Sequence, residues 1–493
     1  MRNGGWGFGV GVGCNSVMDL EGKRVLVVGI ARSGVAAARL LTSRGARVTA
    51  NDLKSESELG GAAEELRNLG VTLSLGAHQE PLFVNSDLVV LSPGVPADLA
   101  PLEAARAAGV EIISEPEFAG RFLRGRMIGV TGSNGKTTVT TLVGELMRAA
   151  GAEVIVGGNI GTPLSSLIEK SAENTWTVAE LSSFQLEMVD SLRVNVAVVT
   201  NITPDHLDRH GSLENYVRAK HRIFLNQTED DWAVLNGQDQ GVADMVAKLG
   251  VQSRKVYFSS RGPQTATGIA AGSYVRNGRL CTTMMNDFDG EVDVMGLEEI
   301  PLPGMHNVEN VMTALTATFC AMGTGVADLP ALAAATRRFK GVEHRLEYVA
   351  EIGGIKFYND SKATNVDSTV KALEAFERDI IVILGGKDKG GDFTVLGPLI
   401  RNRVKQIILI GAASGKIAAQ LEGAGPMTRA LSMQNAVAKA MEVATAGDIV
   451  LLAPACASFD MFDNYEHRGR VFKEAVYKLA SKLHSGWTGR LTT

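Results

Sequence analysis

Short runs of apolar residues recur along the chain, and each leads into a glycine-containing turn and then into a segment with helical spacing. The first run, RVLVV at 24–28, is followed by a turn at 29–34 and by the helix-like sequence VAAARLL. Such runs are typical of strands that are buried on both faces, and their alternation with helices indicates parallel sheets built from βαβ units. The pattern therefore predicts an α/β protein.

The apolar runs fall into three blocks, and 493 residues are enough for about three domains. The second block begins with the run at 126–130, and the third begins with IKFYND at 355–360. We place the boundaries near residues 123 and 341. The prediction is an N-terminal Rossmann-like domain at 18–122, a central P-loop ATPase-like α/β domain at 123–340 and a C-terminal Rossmann-like domain at 341–493.

Residues 1–17 do not fit this pattern. They are rich in glycine and lack the apolar core of a signal peptide, whereas Met18 immediately precedes a sequence that leads into the first strand. We expect either that translation starts at Met18 or that residues 1–17 form a disordered tail.

Composition narrows the range of functions. The net charge is −5 and the Lys and Arg residues are scattered, which disfavours nucleic-acid binding. No apolar run reaches the roughly 18–20 residues that a membrane helix needs, so we expect no membrane span. The four cysteines are far apart and lack metal-binding spacing, as expected of reduced thiols in a cytoplasmic enzyme; they are Cys14, Cys281, Cys320 and Cys456.

The sequence TGSNGKTT at 131–138 lies between a predicted buried strand and a predicted helix. Backbone N–H groups and the helix dipole favour polyphosphate at such a position. Gly132 and Gly135 allow close backbone approach, Lys136 can reach the β- and γ-phosphates, and the Thr137 hydroxyl can ligate Mg²⁺. The alternative is a chance Gly-Lys-Thr in a turn, but the strand before it and the helix after it favour a site for ATP.

Two features leave other functions open at this point. Val130 stands where the general P-loop has glycine, so the loop is a variant. The turn from Gly29 to Gly34, with Asp52 beyond it, partly matches a dinucleotide fingerprint, although Ala31 replaces the second glycine. An NAD-dependent dehydrogenase would use that turn but leave the phosphate loop unexplained. A P-loop switch would hydrolyse nucleotide without any dependence on an amino acid.

The loop and the motifs that follow it resemble those of the Mur ligase family, over about residues 19–479. The ordered motifs are GGNIGTP (157–163), AELSSFQLE (179–187), TNITPDHLDRH (200–210), GMHNVEN (304–310), GVEHRLE (341–347), NDSKATN (359–365) and LAPACASFDMFDNYEHRG (452–469). The resemblance implies three domains, for a UDP-sugar, for ATP and for an amino acid, with a mobile C-terminal domain.

The resemblance also implies a reaction. ATP would phosphorylate the alanyl carboxylate of UDP-N-acetylmuramoyl-L-alanine to an acyl phosphate, and the amine of D-glutamate would attack it, in cytoplasmic synthesis of peptidoglycan precursors. ACASFD together with NDSKATN favours D-glutamate. The alternatives are a Mur-type or folylpolyglutamate-type ligase with a different amino acid. We expect a monomer.

By resemblance, the nucleotide and metal contacts map onto particular positions. Nucleotide contacts are expected from Gly132, Ser133, Asn134, Gly135, Lys136, Thr137, Thr138, Val139, Asn307, Arg345, Asp360 and Lys362. Two Mg²⁺ sites would involve Thr137, Glu180, His206 and Lys220. The residues expected to be catalytic are Lys136, His206, Lys220 and Arg345.

Lys220 can also be interpreted from its helix. Val217 and Phe224 place it on an apolar face, and burial disfavours the ammonium form. A neutral amine can react with CO₂, and the resemblance implies a carbamylated Lys220. The pattern alone favours a lysine whose stem covers apolar surface while its ammonium reaches water.

The resemblance implies substrate contacts in the outer domains. Candidate UDP contacts are Ile30, Ala31, Asp52 and Lys54, and Asn159 is expected at the sugar-peptide end. The candidates for D-glutamate are Thr364, Lys389, Ser458 and Phe459; Lys387 competes with Lys389 for the carboxylate, and the spacing to Asp392 favours Lys389. Because these groups lie on different domains from Lys136, we expect catalysis to need domain closure.

Overall fold

The structure, a computed structural model, describes residues 18–265, 268–388 and 390–487. The expectations for residues 1–17, Cys14 among them, and for Lys389 lie outside the described residues. Three sheets of five, nine and six strands follow one another along the chain, which confirms the predicted α/β architecture. Within the described ranges, no helix is long and apolar enough to cross a membrane.

The first sheet is entirely parallel, and its strand order is β3-β2-β1-β4-β5. This is the order of a Rossmann-like sheet. Its strands are β1 (Arg24–Val28), β2 (Arg47–Asp52), β3 (Thr72–Leu75), β4 (Leu88–Leu91) and β5 (Glu111–Ser114). Its helices are α1 (Arg32–Ser43), α2 (Glu56–Leu59), α3 (Gly61–Asn68), α4 (Glu80–Val84), α5 (Ala100–Ala107) and α6 (Glu115–Gly120).

The second sheet has the order β14-β13-β12-β11-β10-β9-β6-β8-β7. Its strands are β6 (Arg126–Thr131), β7 (Glu153–Gly158), β8 (Thr175–Glu180), β9 (Val196–Val199), β10 (Trp232–Asn236), β11 (Arg254–Ser259), β12 (Ser273–Arg276), β13 (Arg279–Thr282) and β14 (Val292–Gly296). Its helices are α7 (Lys136–Ala149), α8 (Ser183–Leu186), α9 (Leu207–His210), α10 (Leu213–His221), α11 (Gln240–Leu249), α12 (Met305–Met322) and α13 (Leu329–Arg338).

Strands β12 to β14 depart from the predicted parallel pattern, because β13 pairs antiparallel with both neighbours. The turn between β12 and β13 is Asn277-Gly278, and both residues have positive φ, 51° and 74°. An Asn-Gly pair in this conformation gives the tight hairpin whose twist matches the strands. The parallel pattern predicted from the apolar runs therefore does not extend to this edge of the sheet.

The third sheet has the order β15-β16-β20-β17-β18-β19, with β15 antiparallel to β16 across a Gly353-Gly354 turn. Its strands are β15 (Glu347–Ile352), β16 (Ile355–Asn359), β17 (Ile380–Gly385), β18 (Val404–Ile410), β19 (Met427–Arg429) and β20 (Ile449–Leu452). Its helices are α14 (Val366–Glu374), α15 (Gly397–Arg403), α16 (Ser414–Gln420), α17 (Met433–Val443) and α18 (Tyr465–Trp487).

Apolar packing beneath the second sheet fixes the phosphate loop. Helix α7 carries Val139, Leu142 and Leu146 on one face, at helical spacing, and all three are fully buried. They belong to one core cluster with Val311 and Leu315 of α12. Because β6 is also buried in this core, both ends of the loop at 131–138 are held by rigid elements.

The outer sheets are tied to the central one through polar contacts. Glu117 in α6 is buried and accepts hydrogen bonds from the backbone N–H groups of Asp190, Ser191 and Leu192 at 2.9–3.1 Å. On the C-terminal side, Lys362, which follows β16 of the third sheet, donates from Nζ to Thr137 Oγ1 at 2.9 Å. The C-terminal part therefore closes onto the phosphate loop in this structure.

Candidate active site

The backbone of the phosphate loop requires glycine at two positions. Gly132 has a φ of 138°, and a Cβ there would lie 2.0 Å from Thr200 Oγ1. Gly135 has a φ of 83°, and a Cβ there would lie 2.3 Å from Asn310 Oδ1. Any side chain would clash at both places, so these glycines let the loop curl tightly against β9 and α12.

Side chains from outside the loop hold it in shape. Asn201 Oδ1 accepts from the Asn134 N–H at 2.8 Å, and Thr200 Oγ1 donates to the Asn134 carbonyl at 2.6 Å. The Ser133 hydroxyl lies 2.9 Å from the hydroxyl of Tyr216. Thr200 and Asn201 were not among the predicted contacts, although both lie in the motif at 200–210. Thr138 and Val139 are buried at the start of α7.

The Lys136 ammonium lies inside the cradle that the loop forms. Its Nζ donates to the carbonyls of Gly132 at 2.9 Å and Ser133 at 2.8 Å. Burial lowers the pKa of Lys136, whereas the nearby carboxylates of Glu180 and Asp205 act in the opposite direction. The arrangement places a cation where the loop can hold phosphate.

Glu180 ends β8 beside the loop and is buried. Its Oε1 accepts from Asn159 Nδ2 at 2.9 Å, and its Oε2 is buried without a hydrogen-bond partner among the described residues. The Lys362 ammonium that donates to Thr137 is also attracted by the Glu180 carboxylate. The Thr137 hydroxyl and the Glu180 carboxylate thus both lie near the Lys362 ammonium. Oxygen ligands of these two kinds suit Mg²⁺.

Lys220 in α10 is 1% exposed, so its predicted burial is confirmed. Its Nζ donates to the Gly132 carbonyl at 2.7 Å and lies 4.5 Å from the centre of the Tyr216 ring. Burial lowers the pKa of Lys220 well below its usual value, and the charge of Lys136 lowers it further. The Lys220 side chain does not extend to solvent, so the interpretation that its ammonium reaches water was wrong.

His206, which the resemblance implies at a Mg²⁺ site, packs its ring against Phe184 at the start of α9. Its side chain is half exposed, its φ is 51°, and its ring contacts that of Phe184 at 4.9 Å between centres. The described residues contain no group of three or more His, Cys, Asp and Glu side chains that could hold a metal.

A cavity of about 420 Å³ extends from the phosphate loop between the second and third sheets. Arg345, Asp360 and Lys362 line it from the C-terminal side. Burial raises the pKa of Asp360 to about 6, although Arg345 acts in the opposite direction. On the other side, Asn310 lines the cavity, and its Nδ2 donates to Oδ1 of the buried Asn307 at 3.1 Å.

The predicted amino-acid contacts gather at the carboxyl edge of the third sheet. Thr364 is half-buried, Ser458 is buried and Phe459 is exposed. The backbone of Lys387 pairs with that of Ala457 at 2.8 and 3.0 Å, which holds the lysine loop beside Ser458. The choice between Lys387 and Lys389 stays a prediction.

In the first sheet, the Asp52 carboxylate organises the candidate UDP turn. It accepts from the N–H groups of Ile30 at 2.7 Å and Lys54 at 2.9 Å. The Ile30 side chain is buried and Ala31 is exposed. Arg32 Nη1 donates to the Gly161 carbonyl at 3.4 Å and so bridges to the GGNIG loop. Arg32 lies in the turn at 29–34 but was not among the predicted contacts.

Comparison with known proteins matches the chain to three family models. They are the "Mur ligase MurD-like, N-terminal domain" at 23–114, the "Mur ligase middle domain" at 130–318 and the "Mur ligase, glutamate ligase domain" at 344–456. The predicted three-domain organisation is confirmed, whereas the boundaries near 123 and 341 stay predictions.

Two curated relatives are similar over almost their whole length. The UDP-N-acetylmuramoylalanine–D-glutamate ligase of Koribacter versatilis is 46% identical over 94% of this chain and 99% of that protein. The enzyme of the same name from Acidobacterium capsulatum is 47% identical over 95% of this chain and 99% of that protein.

Among solved structures, the fold resembles the UDP-N-acetylmuramate-alanine ligase MurC of Thermotoga maritima. The TM-score is 0.56 at 19% identity, covering 92% of this chain and 99% of that one. It also resembles MurF of Acinetobacter baumannii, with a TM-score of 0.57 at 16% identity, covering 91% and 93%. At such identities the likeness concerns the fold alone.

Proposed function

This chain belongs to the Mur ligase family, and from that premise we propose that it joins D-glutamate to UDP-N-acetylmuramoyl-L-alanine with ATP. The observation that carries the proposal is the 46–47% identity with two ligases named for this reaction, over nearly the full length of both. This makes the alternatives, a dehydrogenase, a switch or a folylpolyglutamate-type ligase, less favoured.

The reaction needs charge neutralisation and positioning rather than a protein nucleophile. In the proposal, the alanyl carboxylate is phosphorylated to an acyl phosphate, and the attacking amine then displaces phosphate. Lys136 and the loop N–H groups hold the phosphates of ATP. Arg345 and Lys362 approach the same cavity from the C-terminal domain, so closure brings their charges to the transferring group.

The residues present fit Mg²⁺. Thr137 offers a hydroxyl, and Glu180 offers a buried oxygen that has no other partner among the described residues. We propose that these two hold the ion, which supplies charge neutralisation at the phosphates when it is bound. Lys362 would give up its bond to Thr137 and stay beside the phosphates. We also propose a second Mg²⁺ near His206, because the family resemblance implies one there.

Lys220 fits carbamylation. A carbamate forms from a neutral amine, and burial lowers the pKa of this one. The modified side chain would carry a negative charge close to Lys136, where a positive charge is now unfavourable. In this proposal Lys220 acts as a carboxylate that orients the metal.

We further propose that Asp52, Lys54, Ile30 and Ala31 form the UDP end of the substrate site, with Asn159 at the sugar-peptide end. Thr364, Ser458, Phe459 and a lysine of the 385–391 loop would bind D-glutamate, whose two carboxylates need cations and neutral donors. The enzyme would act as a monomer in the cytoplasm, a reducing compartment in which thiols such as Cys281, Cys320 and Cys456 stay unpaired.

The test is phosphate release from ATP by the purified full chain. Release should require UDP-N-acetylmuramoyl-L-alanine and should be stimulated by D-glutamate, with a product heavier by one glutamyl residue in mass spectrometry. Scanning other amino acids provides the control. Stimulation by an L-amino acid but not by D-glutamate would overturn the substrate assignment.

A further inference from the structure

The lysine loop, residues 385–391, follows β17 and lies against helix α16. Near the start of the loop, the carbonyl of Gly386 accepts a hydrogen bond from the N–H of Ala413, which directly precedes α16, at 2.9 Å. Just after the loop, the Phe393 N–H donates to the side chain of Gln420, the last residue of α16, at 2.9 Å. The two ends of the loop are therefore held by the two ends of one helix.

Lys416, one helical turn before Gln420, holds the middle of the loop. Its Nζ donates to Asp388 Oδ2 at 2.7 Å and to the Gly391 carbonyl at 2.9 Å. The other Asp388 oxygen, Oδ1, accepts from the N–H groups of Gly390 and Gly391 at 2.9 and 3.0 Å. Together these four bonds close the loop around one carboxylate.

The ion pair between Lys416 and Asp388 is partly shielded from water. The Lys416 side chain is 39% exposed and that of Asp388 is 27% exposed. The Lys416 ammonium also lies 5.4 Å from the centre of the buried Phe393 ring. Its hydrogen bond lowers the pKa of Asp388, so this carboxylate is charged at neutral pH. A lysine that bonds a carboxylate and a backbone carbonyl together restrains the loop more than a lone surface ion pair would.

The loop lies beside the predicted amino-acid contacts. The backbones of Lys387 and Ala457 exchange two hydrogen bonds, at 2.8 and 3.0 Å, and Ser458 follows Ala457. The hydrogen bonds that the Lys416 ammonium makes among the described residues both go to the loop. Lys416 therefore acts on the shape of the loop, and it differs in this from the loop lysines expected to meet substrate.

We propose that Lys416 is a positioning residue for D-glutamate, because it holds the lysine loop in the shape that presents a loop lysine to a substrate carboxylate. The inference rests on the proposed function, since it assumes that D-glutamate binds beside Ser458. Without Lys416 the loop would have to become ordered when the substrate binds, and that cost in entropy would weaken binding. Binding of ATP and of UDP-N-acetylmuramoyl-L-alanine, at other places, would not carry this cost.

Steady-state ligation kinetics, with each substrate varied in turn, provide the test. In Lys416→Met the KM for D-glutamate should rise by about 10-fold, as expected when one or two groups must be immobilised on binding. The value of kcat at saturating D-glutamate, and the KM values for the other two substrates, should stay within about twofold of the wild type. Lys416→Arg keeps a charged donor for Asp388 and should return the KM for D-glutamate to within about threefold of the wild type.

A second ion pair of the same domain provides a matched control. Lys405 Nζ donates to Asp448 Oδ2 at 2.7 Å, and the Lys405 side chain is 38% exposed. This pair lies where β18 and β20 begin, at the opposite edge of the sheet from the lysine loop. Lys405→Met removes the same charge and an equivalent bond, so it should leave the KM for D-glutamate unchanged.

Asp388→Asn tests the other partner of the pair. The amide keeps an acceptor for the loop N–H groups but loses the charge that Lys416 holds, so the KM for D-glutamate should again rise while kcat stays unchanged. Because both residues act through one bond, the double variant of Lys416→Met and Asp388→Asn should be no worse than Lys416→Met alone. If Lys416→Met does not fold, an unchanged KM in Asp388→Asn would overturn the inference.

The outcomes separate the two proposals. If the wild type fails to ligate D-glutamate with ATP, the proposed function fails, whatever Lys416 does. If the wild type ligates but Lys416→Met keeps its KM for D-glutamate, Lys416 does not position the loop. An equal rise in Lys405→Met, or a rise of the same size in the KM values for all three substrates, would also overturn the inference, because either result indicates general damage to the domain.

Discussion

Glu115 provides a stability prediction whose magnitude follows from the structure. It begins α6, is 1% exposed, and its Oε1 accepts from the Ser165 N–H at 2.7 Å, while Oε2 is buried without a partner among the described residues. Burial raises the pKa of Glu115 to about 6, from 4.5 when exposed. The bond from Ser165 acts in the opposite direction but does not offset burial.

The sign follows from proton binding. Above pH 4.5 the unfolded chain has lost this proton while the folded protein still holds it, so the free energy of unfolding falls as pH rises, until Glu115 ionises in the folded state near pH 6. Ionisation of Glu115 lowers the free energy of unfolding by about 2 kcal/mol in total, and about 1 kcal/mol of this loss occurs between pH 5 and pH 8.

Glu115→Gln keeps the shape and the acceptor but cannot ionise. Between pH 5 and pH 8, the free energy of unfolding of the variant should therefore increase by about 1 kcal/mol relative to that of the wild type. Urea unfolding at both pH values measures it, with Glu80→Gln at the exposed start of α4 as the control. A difference that does not vary with pH, or that favours the wild type at pH 8, would refute the reasoning.

Two further predictions concern the phosphate loop. Gly135→Ala and Gly151→Ala both place a Cβ at a positive φ, 83° and 84°, and this backbone strain alone should cost each variant about 1 kcal/mol of stability. Only the first clashes with Asn310, so only its kcat/KM for ATP should fall, by roughly 100-fold; equal kinetic losses would contradict this. Lys220→Ala should abolish ligation, with partial rescue by small carboxylic acids, and full activity in the variant would rule out the carbamate.

Local patterns predicted much of the fold. Apolar runs between glycine turns located the central strands, because residues buried on both faces of a parallel sheet leave a continuous apolar signal. Val217 and Phe224 placed Lys220 on the apolar face of its helix, but that pattern alone favoured an ammonium that reaches water, and only the family resemblance indicated a buried one. Strands β12 to β14 gave a weaker signal, since their faces are mixed and their direction depends on the turn at Asn277-Gly278.

The positions of site residues could be predicted only where those residues lie in a recognisable sequence motif. Lys136 and Glu180 stand at ends of strands or helices, so their positions follow from sequence order. The bond from Lys362 to Thr137 joins residues 225 positions apart, and it depends on how two domains meet. No spacing rule contains that information.

The most direct test of the central claim follows the oxygen atoms. UDP-N-acetylmuramoyl-L-alanine with ¹⁸O in its alanyl carboxylate is incubated with the full chain, ATP and D-glutamate, and the released phosphate is analysed by mass spectrometry. An acyl phosphate requires a carboxylate oxygen to leave with phosphate, so we predict one ¹⁸O atom in each phosphate formed with product. Unlabelled phosphate alongside the ligated product would contradict the account.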